Sequence, residues 1–120
     1  YNHIKEVLEN AKKEVLICTS VDELKNKSRF FSSIFERLNK NGIKIKIALS
    51  GNDKEIKKIN TKYKIKAKPI NIDAKFYIAD NDQVLFAISN GSSPEEELAV
   101  WLNTPFFTSA LAFLFEEAMK

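Results

Sequence analysis

The chain has 120 residues, 44% of them hydrophobic, and carries a net charge of +3. That size and apolar content predict one domain, residues 1–120, built around a single core. No stretch is long enough for a membrane span and no signal-peptide pattern opens the chain. The lone cysteine, Cys18, excludes an internal disulfide and fits a reducing cytoplasm. The chain starts at Tyr1 without an initiator Met, which reads as a piece excised from a longer protein.

Charge is unevenly spread. Residues 40–75 carry 11 Lys against three acids, +8, whereas residues 76–120 carry seven acids against Lys120, −6. One part of the surface is therefore expected to be basic and another acidic, a split that suits docking or an anion site as well as plain solvation.

In chain order, Ile4, Val7, Leu8 and Ala11 keep helical spacing and predict an amphipathic helix over residues 2–12. Val15-Leu16-Ile17-Cys18 is a compact apolar run that predicts a buried strand ending at Thr19-Ser20, with Cys18 as a small buried hydrophobe. Phe31, Ile34, Phe35 and Leu38 share one helical face, and Asn41-Gly42 stops that helix. Ile43, Ile45 and Ile47 alternate with lysines as a second strand, and Asn52 or Asp53 caps a brief helix carrying Ile56 and Ile59. Strands are expected over residues 62–70, 75–79, 84–89 and 98–102, with Asn81-Asp82 as a turn. Thr104-Pro105 starts a last helix, to about Met119, that is richer in Phe and Leu than one stripe requires. The order predicts an α/β domain with a mixed central sheet flanked by helices.

Two stretches concentrate the chemistry. In the expected strand 62–70, alternation puts Lys62, Lys64, Lys66 and Lys68 on one face. This reads either as an anion or nucleic-acid surface or as an edge strand that lysines protect from aggregation. Asp73-Ala-Lys75 is followed by Asp80, a turn, and a strand closing at Asn90. Asp80 and Asp82 lack clustered ligand types around them, so no metal site is expected. There is no glycine-rich phosphate loop, and the only histidine, His3, lies in the first helix.

The run from Asp73 to Asn90 resembles the signature of the phospholipase D superfamily: His-x-Lys, four residues, Asp, then a Gly-Ser-x-Asn strand. Lys75, Asp80 and Asn90 match, as does Glu97 downstream. Asp73 stands where that family has its nucleophilic His, and Ala87-Ile88 replace the Gly-Ser pair. The stretch from Glu95 to Phe106 and the terminal Phe113-Leu-Phe-Glu-Glu117 resemble the regulatory domain of TrmB-like archaeal transcription regulators. This resemblance implies a phospholipase-D-like domain that serves regulation, joined in the whole protein to an N-terminal helix-turn-helix that contacts DNA. It implies homodimerisation and a small-molecule effector as further partners, without a cofactor. An imidazole can attack phosphorus and protonate a leaving group because it titrates near neutrality; with Asp73 in its place no catalysis is expected. The alternative is a phosphodiesterase or nuclease of the same superfamily; a third class is a dimerisation domain without ligand.

If the resemblance holds, Asp73, Lys75 and Asn90 converge near Thr19 and Ser20 at one end of the sheet, since open α/β sheets bind ligands beyond strand ends. In the last helix, Phe107, Leu111 and Leu114 are expected to face the sheet, leaving Phe106 and Phe113 for a second subunit or for the helix of Phe30 and Phe31.

Overall fold

The structure, a computed structural model, describes residues 2–70, 75–80, 83–88, 98–102 and 105–118. Its elements run α1 (Asn2–Glu9), β1 (Glu14–Ser20), α2 (Val21–Asn26), α3 (Ser28–Lys40), β2 (Lys44–Ser50) and α4 (Asp53–Tyr63). They continue with β3 (Lys68–Pro69), β4 (Lys75–Ala79), β5 (Gln83–Ile88), β6 (Leu98–Leu102) and α5 (Pro105–Ala118). The strands form one six-stranded sheet in the order β3-β2-β1-β4-β5-β6. β1, β2 and β3 are parallel, and β4, β5 and β6 join antiparallel. This is the mixed α/β sheet that the element order predicts.

Alternation along each strand divides the core in two. Val15, Ile17, Ile47, Leu49, Tyr77 and Leu85 face one side, where α1 to α4 pack with Leu8, Leu24, Phe31, Phe35, Leu38 and Ile59. Phe31 stacks between Phe35 and Tyr77, with centroid distances of 5.9 and 6.4 Å. Burying a ring of this kind stabilises the fold by roughly 1.5–3 kcal/mol. Leu16, Cys18, Ala48, Phe76, Ile78 and Val84 face the other side, against Phe115 of α5. β1 is thus buried on both faces, which explains its uninterrupted apolar run. Burial pushes the Cys18 thiol up to about 11, so at neutral pH it stays a protonated, weakly nucleophilic group.

Several boundaries follow local chemistry. Gly42 takes a left-handed φ of 72° just beyond α3, a conformation that costs glycine little. Asn52 caps α4, its side-chain oxygen accepting from the Lys54 N–H at 2.8 Å. The strand expected over residues 62–70 is not formed as such. α4 continues to Tyr63 and is ended by Lys64 in the left-handed conformation, and pairing is confined to Lys68–Pro69. The Asn60 side chain accepts from the Ala67 N–H at 2.8 Å and donates to its carbonyl at 3.1 Å. That double bond substitutes for a strand partner, so Ile65 and Ala67 are buried without a ladder. α2 has no counterpart in the sequence reading. The Asn81-Asp82 turn and the Thr104 cap lie outside the described residues.

α5 turns a different stripe to the sheet from the one expected. Thr108 and Phe115 are buried and Leu111 and Ala112 half-buried, whereas Phe107 and Leu114 are exposed. The small Thr108 and Ala112 bring the helix close enough for Phe115 to meet Phe76 edge to face at 5.8 Å. Lys46 of β2 donates to Glu116 at 2.5 Å and pins the far end of the helix. Because α3 packs on the opposite face, Phe30 and Phe31 do not cover Phe106 and Phe113.

Candidate functional site at the end of strand β1

The parallel pairing of β1 with β2 sets Ser20 beside Ser50, and the antiparallel pairing of β1 with β4 sets Cys18 beside Phe76. Lys75, one residue before Phe76, therefore lies level with Thr19. Its own pairing to Ala87 brings the last turn of β5 to the same rim. Of the expected site, Thr19, Ser20 and Lys75 thus share one end of the sheet. Asp73 and Asn90 lie outside the described residues, as does Glu97.

Each of the three placed residues has a distinct situation. Ser20 is the N-cap of α2, its hydroxyl accepting from the Glu23 N–H at 3.1 Å. Thr19 is wholly buried, and its hydroxyl has no hydrogen-bond partner among the described residues. Lys75 donates to Glu23 Oε2 at 2.6 Å. The other oxygen of Glu23 is ion-paired with Lys27, one helical turn on. Gly51, with φ 148°, keeps β2 close against α2: a Cβ there would stand 2.7 Å from Val21 Cγ2.

Glu23 is the centre of this arrangement, and only 8% of it is exposed. Burial alone would raise its pKa, but the hydrogen bonds and charges of Lys27 and Lys75 outweigh that and hold it below its ordinary value. It is ionised at neutral pH, and it occupies the Lys75 ammonium with a carboxylate supplied by the chain itself. The sequence reading missed Glu23, Lys27 and α2 together. The signal was present: Ser20-Val-Asp-Glu23 has the capping-box spacing, and Glu23 and Lys27 stand at i,i+4.

Asp80, five residues after Lys75, sits at the opposite end of β4. Its carboxylate accepts the backbone N–H groups of Lys12, Lys13 and Glu14 at 2.9, 2.8 and 3.1 Å. Partial burial works to raise its pKa, and these three donors with the Lys13 charge lower it on balance. Asp80 therefore ties the α1–β1 turn to the sheet and has no part in the site. Among the described residues no group of three or more His, Cys, Asp or Glu is placed to hold a metal ion. No helix there is long and apolar enough to cross a membrane.

This fold has known counterparts. Nuc of Salmonella typhimurium, a phospholipase D family member, superposes with a TM-score of 0.67 at 15% identity, covering 98% of this chain and 84% of its own. The archaeal chromatin protein TrmBL2, whose structure shows a novel mode of DNA binding, superposes with a TM-score of 0.65 at 22% identity, covering 97% of this chain. The chain spans only 46% of that protein. A search of the curated proteins found no match. The architecture is thus the phospholipase-D-like α/β domain. The family model for the transcriptional regulator TrmB, EBD N-terminal subdomain, matches residues 1–117, and the chain belongs to that family of regulators.

Proposed function

We propose that this chain is a non-catalytic regulatory and dimerisation domain of a DNA-binding transcription regulator, acting in the cytoplasm and taking a small effector at the C-terminal end of β1. The observation that carries the proposal is the Glu23–Lys75 contact at 2.6 Å. A phosphodiesterase needs its cations free for an anionic substrate and an imidazole to attack phosphorus. Here the cation is engaged by a buried carboxylate, Asp73 stands at the nucleophile position, and the one histidine lies in α1. With its charge already met by Glu23, Lys75 offers an anionic diester less attraction than a free ammonium would. Thr19, Ser20 and Lys75, with Asp73 and Asn90 beyond the described segments, are the residues we assign to the effector, without a metal or cofactor. Sequence-specific DNA contact in the whole regulator falls to an N-terminal helix-turn-helix domain, in keeping with the family. Incubated with a chromogenic phosphodiester, the chain should release no product. Turnover that is lost in Asp73→Ala and kept in Lys5→Ala would replace this reading with a phosphodiesterase.

The dimer contact in this proposal is the outer face of α5. Phe106, Phe113 and Leu114 are 89%, 64% and 62% exposed, a cluster of apolar area that single surface residues do not form. A second copy, meeting it across a two-fold axis, covers both faces at once, burying about 800 Å² or more per partner. Sedimentation should give a dimer, and Phe106→Asp with Phe113→Asp a folded monomer. A monomeric unsubstituted chain would remove dimerisation from the proposal.

A further inference from the structure

We infer that the groove between α3 and α4 is a docking site for the phosphodiester backbone of duplex DNA, read without base contacts. Three contiguous hollows of about 220, 360 and 220 Å³ follow α3 from Ser28 to Asn39, and all three are bounded by Lys62 and Tyr63. Lys25, Ser28 and Lys58 line the first, Arg29, Ser32 and Ser33 the second, and Asn39 and Lys64 the third. Lysine, arginine, serine, asparagine and tyrosine are the side chains that contact phosphate oxygens. At 1.5 Å per residue the groove is roughly 16 Å long, enough for a short run of successive phosphates of one strand.

The placement of charge distinguishes this groove. Elsewhere some cations are ion-paired, Lys75 and Lys27 with Glu23, Arg37 with Glu9 and Lys46 with Glu116. Others, among them Lys5, Lys12 and Lys44, have no carboxylate at ion-pair distance among the described residues. The groove differs in gathering such cations along one concavity. There only Lys25 is ion-paired, with Glu55 at 3.0 Å. Arg29, Lys58, Lys62 and Lys64 have no carboxylate at ion-pair distance among the described residues. Lys62 lies instead over the Tyr63 ring, 5.3 Å from its centroid. Glu36 is the one carboxylate of the lining without such a cation. Four cations without an ion pair against the single carboxylate of Glu36 leave the concavity net positive, and a polyanion relieves that charge while releasing its own counterions. The lone arginine argues against base reading, because bidentate recognition of guanine relies mostly on Arg. The inference rests on the regulator reading only for its choice of DNA among polyanions.

The test titrates the 120-residue chain into a labelled mixed-sequence duplex and follows anisotropy as KCl is raised. With four cations engaged, log K should fall against log salt with a slope of about −3.6. Arg29→Gln with Lys58→Gln and Lys62→Gln should bring that slope to about −1. Lys5→Gln with Lys12→Gln and Lys44→Gln, which removes the same charge elsewhere, should leave it unchanged, circular dichroism confirming the fold of both variants. Equal losses in the two variants, or no binding of the duplex at low salt, would overturn the groove. Tighter binding of single-stranded RNA than of the duplex would overturn the assignment to DNA. None of these failures touches the phosphodiester or sedimentation results on which the regulator reading stands.

Discussion

At one end of β4 Asp80 is gripped by backbone: three successive N–H groups of the α1–β1 turn converge on its carboxylate. At the other end Lys75 is gripped by a side chain, Glu23, from a helix 52 residues earlier in sequence. Both positions match the phospholipase D signature, yet they have separated in role. The aspartate closes the turn between α1 and β1, away from the end of the sheet where the site lies. The lysine answers to its neighbours, and in this chain its neighbour is an anion built into α2. A motif residue held by backbone thus reports on the fold, and one held by a side chain reports on what the site does.

The comparison predicts its largest effect at Asp80. Asp80→Ala leaves three N–H donors without their acceptor. At about 1 kcal/mol per bond, with water replacing part of the loss at this half-exposed place, the domain should lose about 2–3 kcal/mol. Asp80→Asn, which keeps one side-chain oxygen as acceptor, should lose roughly half as much. Urea unfolding gives both numbers, and an Asp80→Ala loss below that of Glu23→Gln would reverse the ranking of the two ends.

A middle-sized effect belongs to pH. Glu23 and Asp80 both have folded-state pKa values below their ordinary 4.5 and 3.8. A carboxylate with a depressed folded pKa adds stability that is complete above its unfolded value and is lost as pH falls through the folded one. Stability should therefore be level down to about pH 5 and decline below it. Glu23→Gln, at a cost of about 1–2 kcal/mol near neutrality from two ammoniums left beside each other, should flatten the upper part of that decline. A parallel decline in Glu23→Gln would mean that Glu23 contributes nothing to it.

Much of the architecture was legible because it rests on local pattern. β1 shows as an apolar run, α3 as Phe31, Ile34, Phe35 and Leu38 at helical steps, and β4 and β5 as short strands. The lysine-rich segment misled, because alternation at residues 62–68 reflects burial of Ile65 and Ala67 against the Asn60 bridge, not pairing along a ladder. The face of α5 misled for a similar reason: more than one stripe of that helix is apolar enough, and the fit of Thr108 and Ala112 to the sheet selects among them. Within the site, Thr19, Ser20 and Lys75 were expected together from the phospholipase D resemblance and the placing of ligands beyond strand ends. Glu23 was not, since its meeting with Lys75 depends on how α2 lies across the strand end, which no periodicity encodes.

The smallest effect concerns how Glu23 comes to be there. Ser20 Oγ accepts from the Glu23 N–H at 3.1 Å and starts α2, and the same residue's side chain then reaches Lys75. Loss of an N-cap hydroxyl costs about 1 kcal/mol, so Ser20→Ala should be mild by itself. Its value is in combination. If the cap aims Glu23, removing the cap also loosens the Glu23–Lys75 contact, and Glu23→Gln in that background should cost less than it does alone. The coupling expected for residues in one network is about 0.5 kcal/mol or more, within reach of a urea double-mutant cycle. Additive losses would show instead that Lys27 and Lys75 hold the carboxylate without help, and that the lysine end, unlike the backbone-held aspartate end, is fixed by its charges alone.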